Sequence, residues 1–199
     1  MKSMMKDAAI LFAITLIAGL LLGVVFEVTK EPIAIQQAKR KNEACKEVFQ
    51  DATNFEALEL SMPETAEAGE KAAATINGVS EAVAEDGTVL GYVLDITTHE
   101  GYNGDIQFTM GIRMDGTVNG ISLLSISETP GLGMKAEEVL KPQFAEKNVG
   151  QFTYTKTGAM TSDEIDAISG ATITTNAVVN GVNAGLDCFK NELGGGSHE

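Results

Sequence analysis

"DIQFTMGIRMDGTVNGISLLSIS", Asp105 to Ser127, is the stretch that sets the architecture of this chain. Ile106, Phe108, Met110, Ile112 and Met114 fall on one side of a period-two pattern, and Gln107, Thr109 and Arg113 fall on the other. That alternation predicts a strand with one packed face and one face toward solvent or ligand. Asp115 and Gly116 then predict a two-residue hairpin of type I′, in which both central residues take positive φ. In the returning strand Ile121 and Leu123 give way to Leu124 and Ile126, a change of phase that predicts a β-bulge.

Upstream, "VLGYVLDI" alternates Leu90, Tyr92, Leu94 and Ile96, the pattern of a half-buried strand, and strand signals begin at about Thr75. Downstream, from Met134 to Gly150, the period turns helical with Ala136, Val139, Leu140 and Phe144 on one side. Asn176 to Leu193 carries Val178, Val182, Leu186 and Phe189 at three- and four-residue steps, an apolar stripe facing a core. The expected fold is α+β: an antiparallel sheet with packed helices.

The 199 residues suit one main core plus an appendage. Ala8 to Phe26 has no charged residue and only Thr15 as a hydroxyl, enough length to cross a hydrocarbon core of about 30 Å. A basic start at Lys2 and Lys6 also fits a signal peptide, but no convincing cleavage site follows, so a retained single-pass anchor is expected. Pro32 is read as restarting the chain into a polar helix, Ile33 to Ala52, and the Glu- and Ala-rich Ser61 to Ala74 as a loose connection. The expected organisation is an anchor over 1–29, a stalk and connection over 30–74, a folded domain over 75–193 and a flexible tail over 194–199.

Seven of the fourteen Lys and Arg residues lie before position 47, and residues 47–199 carry 24 acidic groups against seven basic ones. An anionic body repels phosphate backbones, which argues against nucleic acid as a partner. The Lys and Arg count following the span favours a cytoplasmic body, although that rule weakens when a long domain crosses. His99 is the only histidine before the tail, and no His–carboxylate or His–Cys set is visible. Neither Cys45 nor Cys188 has a neighbour at metal-ligand spacing, and no cysteine cluster suits an iron–sulfur centre.

"SGATITTN", Ser169 to Asn176, has two readings. It is a turn followed by a helix cap, with Thr174 or Thr175 as N-cap. Alternatively Gly170 and Ala171 strip bulk from beside Thr172, and the helix start beyond offers free N–H groups and a positive dipole end to a phosphate. Asp166-Ala167-Ile168-Ser169-Gly170-Ala171-Thr172 resembles the D-x-x-(S/T)-G-A-T signal read by bacterial flavin transferases. "ETPGLG", Glu128 to Gly133, and "GYNG", Gly101 to Gly104, are similar to segments of FMN-binding domains in the G subunit of the Rnf complex and the C subunit of the sodium-pumping NADH:quinone reductase. The short chain with one span looks more like the former.

The resemblance implies covalent FMN on Thr172 through a phosphoester, with Ser169, Gly170, Ala171, Thr174 and Thr175 around it. It implies that Gly131 and Gly133 let backbone approach the flavin. It implies Thr129 as a partner of the ring or phosphate and Tyr102 and Leu132 as contacts of the isoalloxazine, although Tyr and Leu are more often plain packing. From their charge alone, Glu128 and Asp166 are either tuning groups for the flavin or, the commoner role, solvated carboxylates. The implied protein is an electron-relaying subunit of a membrane ferredoxin:NAD⁺ oxidoreductase coupled to Na⁺ or H⁺ transport, matured by a flavin transferase, partnered by other membrane subunits, with its body outside the cytoplasm. The quinone-reductase subunit and an anchored module that binds a ligand without redox turnover are the alternatives.

Overall fold

The computed structural model describes residues 2–58 and 73–194. Most of the connection expected over Ser61 to Ala74, and the tail from position 195, lie outside the described residues. The chain forms two compact units, Met1–Arg40 and Lys41–Glu199.

The first unit is helical. α1 (Lys2–Val48) starts here and contains an 18-residue window of mean hydropathy 2.8. It is the one described helix long and apolar enough to cross a membrane. Leu11, Phe12, Leu16, Leu20 and Phe26 are each more than half exposed, a surface that suits hydrocarbon better than water. The hydroxyls of Thr15 and Thr29 donate to the carbonyls of Leu11 and Val25, at 3.0 and 2.8 Å. Both are thus satisfied within their own helix, as hydrocarbon requires. Pro32 does not restart the chain; it lies inside α1, which continues to Val48 despite the lost backbone donor.

The second unit is built on a five-stranded antiparallel sheet in sequential order: β1 (Asn54–Leu58), β2 (Ala74–Val83), β3 (Val89–Thr98), β4 (Ile106–Arg113) and β5 (Val118–Ser125). Register pairs Leu94 with Met110 and Ile96 with Phe108. The pleat therefore sends Leu94, Ile96, Phe108, Met110 and Ile112 to one face. There α3 (Thr172–Glu192) packs, burying Val178, Val182, Leu186 and Phe189 as the sequence predicts, and Ala177 and Val179 besides. The stripe is wide because the helix lies very close. A Cβ on Gly185 would stand 2.7 Å from Met110 Sδ and 2.8 Å from Ile96 Cδ1.

The opposite face is covered as well, which corrects the half-buried reading of β3 and the open second face of β4. Cys45 and Val48 at the end of α1, with Phe49 and Ala52 beyond it, pack on Ala82 and Val93. Thr109 is fully buried here. A Cβ on Gly111 would stand 2.9 Å from Val48 Cβ, so that glycine lets the helix end settle on the strand. Polar contacts fix the same segment. Lys41 Nζ reaches Asp95 at 2.8 Å, Lys141 Nζ reaches Glu47 at 2.6 Å, and Asn119 Nδ2 donates to the Val48 carbonyl at 2.9 Å.

The hairpin after β4 is not the two-residue type I′ loop. Gly116 has φ 82°, Asp115 is not among the positive-φ residues, and the Gly116 N–H bonds to the Arg113 carbonyl at 2.9 Å. This is a three-residue loop with glycine in the left-handed position. It explains Met114, expected in the core yet 51% exposed: it belongs to the loop and not to the strand. The expected bulge is present, because Gln107 pairs with Ser125 and Phe108 with Leu123, leaving Leu124 unpaired. A second bulge leaves out Asn119.

The helical segment after Met134 is shorter and more broken than its pattern. A 3₁₀ turn (Gly133–Lys135), α2 (Ala136–Val139) and a second 3₁₀ turn (Lys141–Phe144) still bury Ala136, Leu140 and Phe144. Pro142 denies a backbone donor to that segment and explains the break. β6 (Thr153–Thr155) and β7 (Glu164–Asp166) then form a small parallel pair that the sequence did not suggest. Both cysteines are buried and free, in separate clusters on opposite faces of the sheet, so they do not pair.

Burial alone would raise the Asp95 carboxyl, but hydrogen bonds from Lys41, Gln107 and Asn77 and the Lys41 charge outweigh it and hold it below the usual carboxylate range. A depressed folded pKa gives stability that is complete above the unfolded value of about 3.9 and is lost as pH falls through the lower folded value. Asp95→Asn is therefore expected to lose stability at neutral pH and to show a shallower further loss below about pH 4 than the parent. Urea unfolding across that range measures both slopes; equal slopes would count against the network.

Candidate functional site

Glu128 is the meeting point of the three segments that the sequence singled out. It is 5% exposed and opens the strand-to-helix loop Glu128–Gly133. Its Oε1 accepts the backbone N–H of Asn103 at 3.1 Å, in the Gly101–Gly104 turn. Its Oε2 accepts the hydroxyl of Thr174 at 2.9 Å, in the first turn of α3. Asn103 Nδ2 also donates to the Ser127 carbonyl at 2.7 Å, closing the same corner.

The glycines fit this meeting. A Cβ on Gly133 would stand 2.6 Å from Thr174 Oγ1 and 2.8 Å from Glu128 Oε2, so the missing side chain makes room for protein groups. Gly131 has φ 77° with open space about it, and its role is conformational. The carbonyl of Thr129 accepts the N–H groups of Leu132 and Met134 at 3.1 and 3.3 Å, which folds the loop on itself. Leu132 leans toward the signal segment: a Cβ on Gly170 would stand 3.1 Å from its Cδ2.

Thr172 is the first residue of α3 and is half-buried, preceded by exposed Ser169 and Gly170 and by buried Ala171. Gly170 takes φ 78°, a left-handed conformation that turns the chain sharply into the helix. The N-cap is Ala171, which offers no side-chain bond. Thr174 and Thr175 are thus not caps, as expected from the sequence, but buried residues inside the first turn. Thr175 Oγ1 donates to the Ala171 carbonyl at 2.9 Å and accepts the Ile168 N–H at 3.1 Å, locking the signal segment onto the helix. An uncapped helix start leaves its first amides without intrahelical acceptors, which is the donor set that suits an anionic group.

The three segments also expose apolar side chains. Tyr102, Leu132, Met134 and Ile173 are 68, 40, 42 and 53% exposed. Asp166 stands apart from Glu128 in character. It is exposed, its Oδ1 accepts the Ala159 N–H at 2.6 Å, and its backbone pairs with the Gln143 amide. A His–carboxylate pair is present after all: His99 Nδ1 lies 3.0 Å from Asp105 Oδ1, with Thr75 Oγ1 3.1 Å from Nε2. It bridges the two ends of the loop carrying Tyr102.

Residues 101–187 match the FMN-binding domain family, and residues 1–48 match the RnfG N-terminal region. The G subunit of the Na⁺-translocating ferredoxin:NAD⁺ oxidoreductase complex of Acetobacterium woodii is 34% identical, the match covering 96% of this chain and 93% of that protein. The chain belongs to the family of G subunits of ion-translocating oxidoreductase complexes. The G subunit from Methanosarcina acetivorans is 32% identical over 94% of both chains, and that of the proton-translocating complex of Clostridium ljungdahlii is 28% identical over 96% of this chain and 97% of its own. The crystal structure of Shewanella oneidensis NqrC superposes with a TM-score of 0.49 at 19% identity, covering 69% of this chain and 67% of that one.

Sequence reasoning about this member of the G-subunit family missed Asn103 and the asparagines of α3. Asn183 both accepts the Phe152 N–H at 2.7 Å and donates to its carbonyl at 2.9 Å, while Asn180 Nδ2 donates to Glu100 at 2.6 Å. These bonds tie the helix to loops distant in sequence, and no local pattern announces them. Thr175→Val is expected to destabilise the fold by about 1–3 kcal/mol, since it strands the buried Ile168 N–H, while Thr175→Ser recovers most of the loss. Chemical denaturation of the two variants checks this.

Proposed function

We propose that this chain is the flavin-bearing subunit of an ion-translocating ferredoxin:NAD⁺ oxidoreductase, with FMN esterified to Thr172 by a flavin transferase. The observation that carries the reading is the convergence on Glu128 of the Gly101–Gly104 turn, the Glu128–Gly133 loop and the first turn of α3. Those three segments carry the family's resemblance and belong to distant parts of the sequence. Residues 1–29 act as the anchor and 75–193 as the FMN-binding domain, extended by residues 41–58, which pack on and pair with its sheet.

The residues present fit the group. The uncapped first turn of α3 supplies N–H donors for a phosphate beside the Thr172 hydroxyl, with Ser169, Gly170 and Ala171 adding little bulk. Tyr102 and Leu132, with Ile173 and Met134, offer exposed apolar surface to a planar ring. Thr174 and Thr175 hold the turn in place and are not acceptors on this reading. Flavin supplies chemistry that no side chain here has, because it takes electrons in pairs and passes them singly. The complex of the A. woodii relative is named for Na⁺ and that of C. ljungdahlii for protons, so both ions remain within this reading.

Co-expression with a flavin transferase is expected to give a yellow protein whose flavin survives denaturation. Peptide mass mapping should place the adduct on Thr172, and Thr172→Val should abolish it while leaving the fold intact. An adduct on Thr174 or Thr175, or none at all, would overturn the assignment. The body is placed outside the cytoplasm, against the Lys and Arg count, on the family resemblance. Protease added to intact cells is expected to cut residues 41–199; a protected body beside digested external proteins reverses that placement.

A further inference from the structure

We propose that the Glu128 carboxylate tunes the flavin site electrostatically, holding the reduction potential of a cofactor on Thr172 below the value it would have beside a neutral side chain. This rests on the reading of Thr172 as the attachment point. It follows from what surrounds the acid and from where the acid sits.

Both oxygens of Glu128 accept hydrogen bonds, one from the Asn103 N–H and one from the Thr174 hydroxyl. Both donors are neutral. Among the described residues no Lys, Arg or His forms an ion pair with it, whereas buried Asp95 on the far face of the sheet has Lys41 at 2.8 Å. Being 5% exposed, Glu128 has little water to screen its field. It bonds to Thr174, two residues from Thr172 and in the same helical turn, and its own loop brings Leu132 against the Gly170 position. A negative charge placed there opposes the arrival of an electron at the adjoining cofactor and lowers its potential. Asp166, the other acid of the signal segment, is exposed to solvent and spends one oxygen on the Ala159 N–H, so its field is screened.

A clamp and a tuning charge are separated by Glu128→Gln. The amide oxygen can accept the Asn103 N–H and the amide nitrogen can donate to Thr174 Oγ1, so shape and both contacts persist while the charge is lost. The full chain, co-expressed with a flavin transferase and purified in detergent, is measured in three ways: mass mapping of the adduct, thermal unfolding, and anaerobic titration with dithionite as electron donor and redox mediators present. Glu128→Gln is expected to load flavin like the parent, to unfold no earlier than the parent and to titrate at a more positive midpoint potential. A loaded variant with an unchanged or more negative potential overturns the proposal. So does a folded variant that takes no flavin, because the charge is then needed for assembly instead of tuning. A parent protein without the Thr172 adduct fails at the earlier step and takes both readings with it. Should Glu128→Gln not fold, Thr174→Val decides. It keeps the charge, removes one of its two donors and is expected to shift the potential further negative, and a potential that stays put or rises counts against the proposal.

Discussion

The contact between α3 and the sheet, with Gly185 set against Met110 and Ile96 and Gly181 against Phe108, is the constraint from which the rest of the second unit follows. A side chain at either glycine would force the helix outward, and a helix pushed outward carries its first turn away from the loops that meet it. Close packing also explains why α3 buries more than one row of residues. Burying side chains such as Val182, Leu186 and Phe189 contributes about 1.5–3 kcal/mol each, so the helix is held by its whole inner face. Thr172 is then located by the core and not by its own neighbourhood.

On that frame, two buried acids do different work. Asp95 is matched by a lysine and two amides and joins the end of α1 to the outer face of the sheet. Glu128 has only neutral donors and joins two loops to the start of α3. A buried carboxylate without a cation is costly, and one kept at a candidate site invites a functional explanation more readily than one that completes an ion pair.

Much of this was legible beforehand because it is local. The alternation of Ile106, Phe108, Met110 and Ile112, the phase change at Leu124 and the stripe of Val178, Val182, Leu186 and Phe189 follow directly from strand and helix periods. The three site segments were recognisable by resemblance, and that Gly101–Gly104, Glu128–Gly133 and α3 meet is a fact of the fold. What was not legible is tertiary. The short edge strand β1 has too few residues to show a period, and the two strands of the parallel β6–β7 pair have only three residues each. The second face of the sheet read as open because its cover comes from residues 41–52, far back along the chain. Thr174 and Thr175 looked like caps because hydroxyls near a helix start usually are, yet Glu128 and Ile168 claim them.

One covering of the sheet precedes its strands in the sequence and the other follows them, and this sets an order of events during synthesis. The residues that cover one face, from Lys41 to Ala52, are made before the described strands, and α3 is made after them. Until α3 emerges, Leu94, Ile96, Phe108 and Met110 have no helix to lie against, and the nascent sheet has one apolar face open to water. Such long-range closure favours slow, late folding. A chain cut short before α3 would lack a lid for its core and so be exposed to proteolysis. Thr172, at the head of that closing element, reaches its native setting only once α3 has packed on the sheet, which restricts any enzyme that recognises the folded site to chains in which α3 has been made.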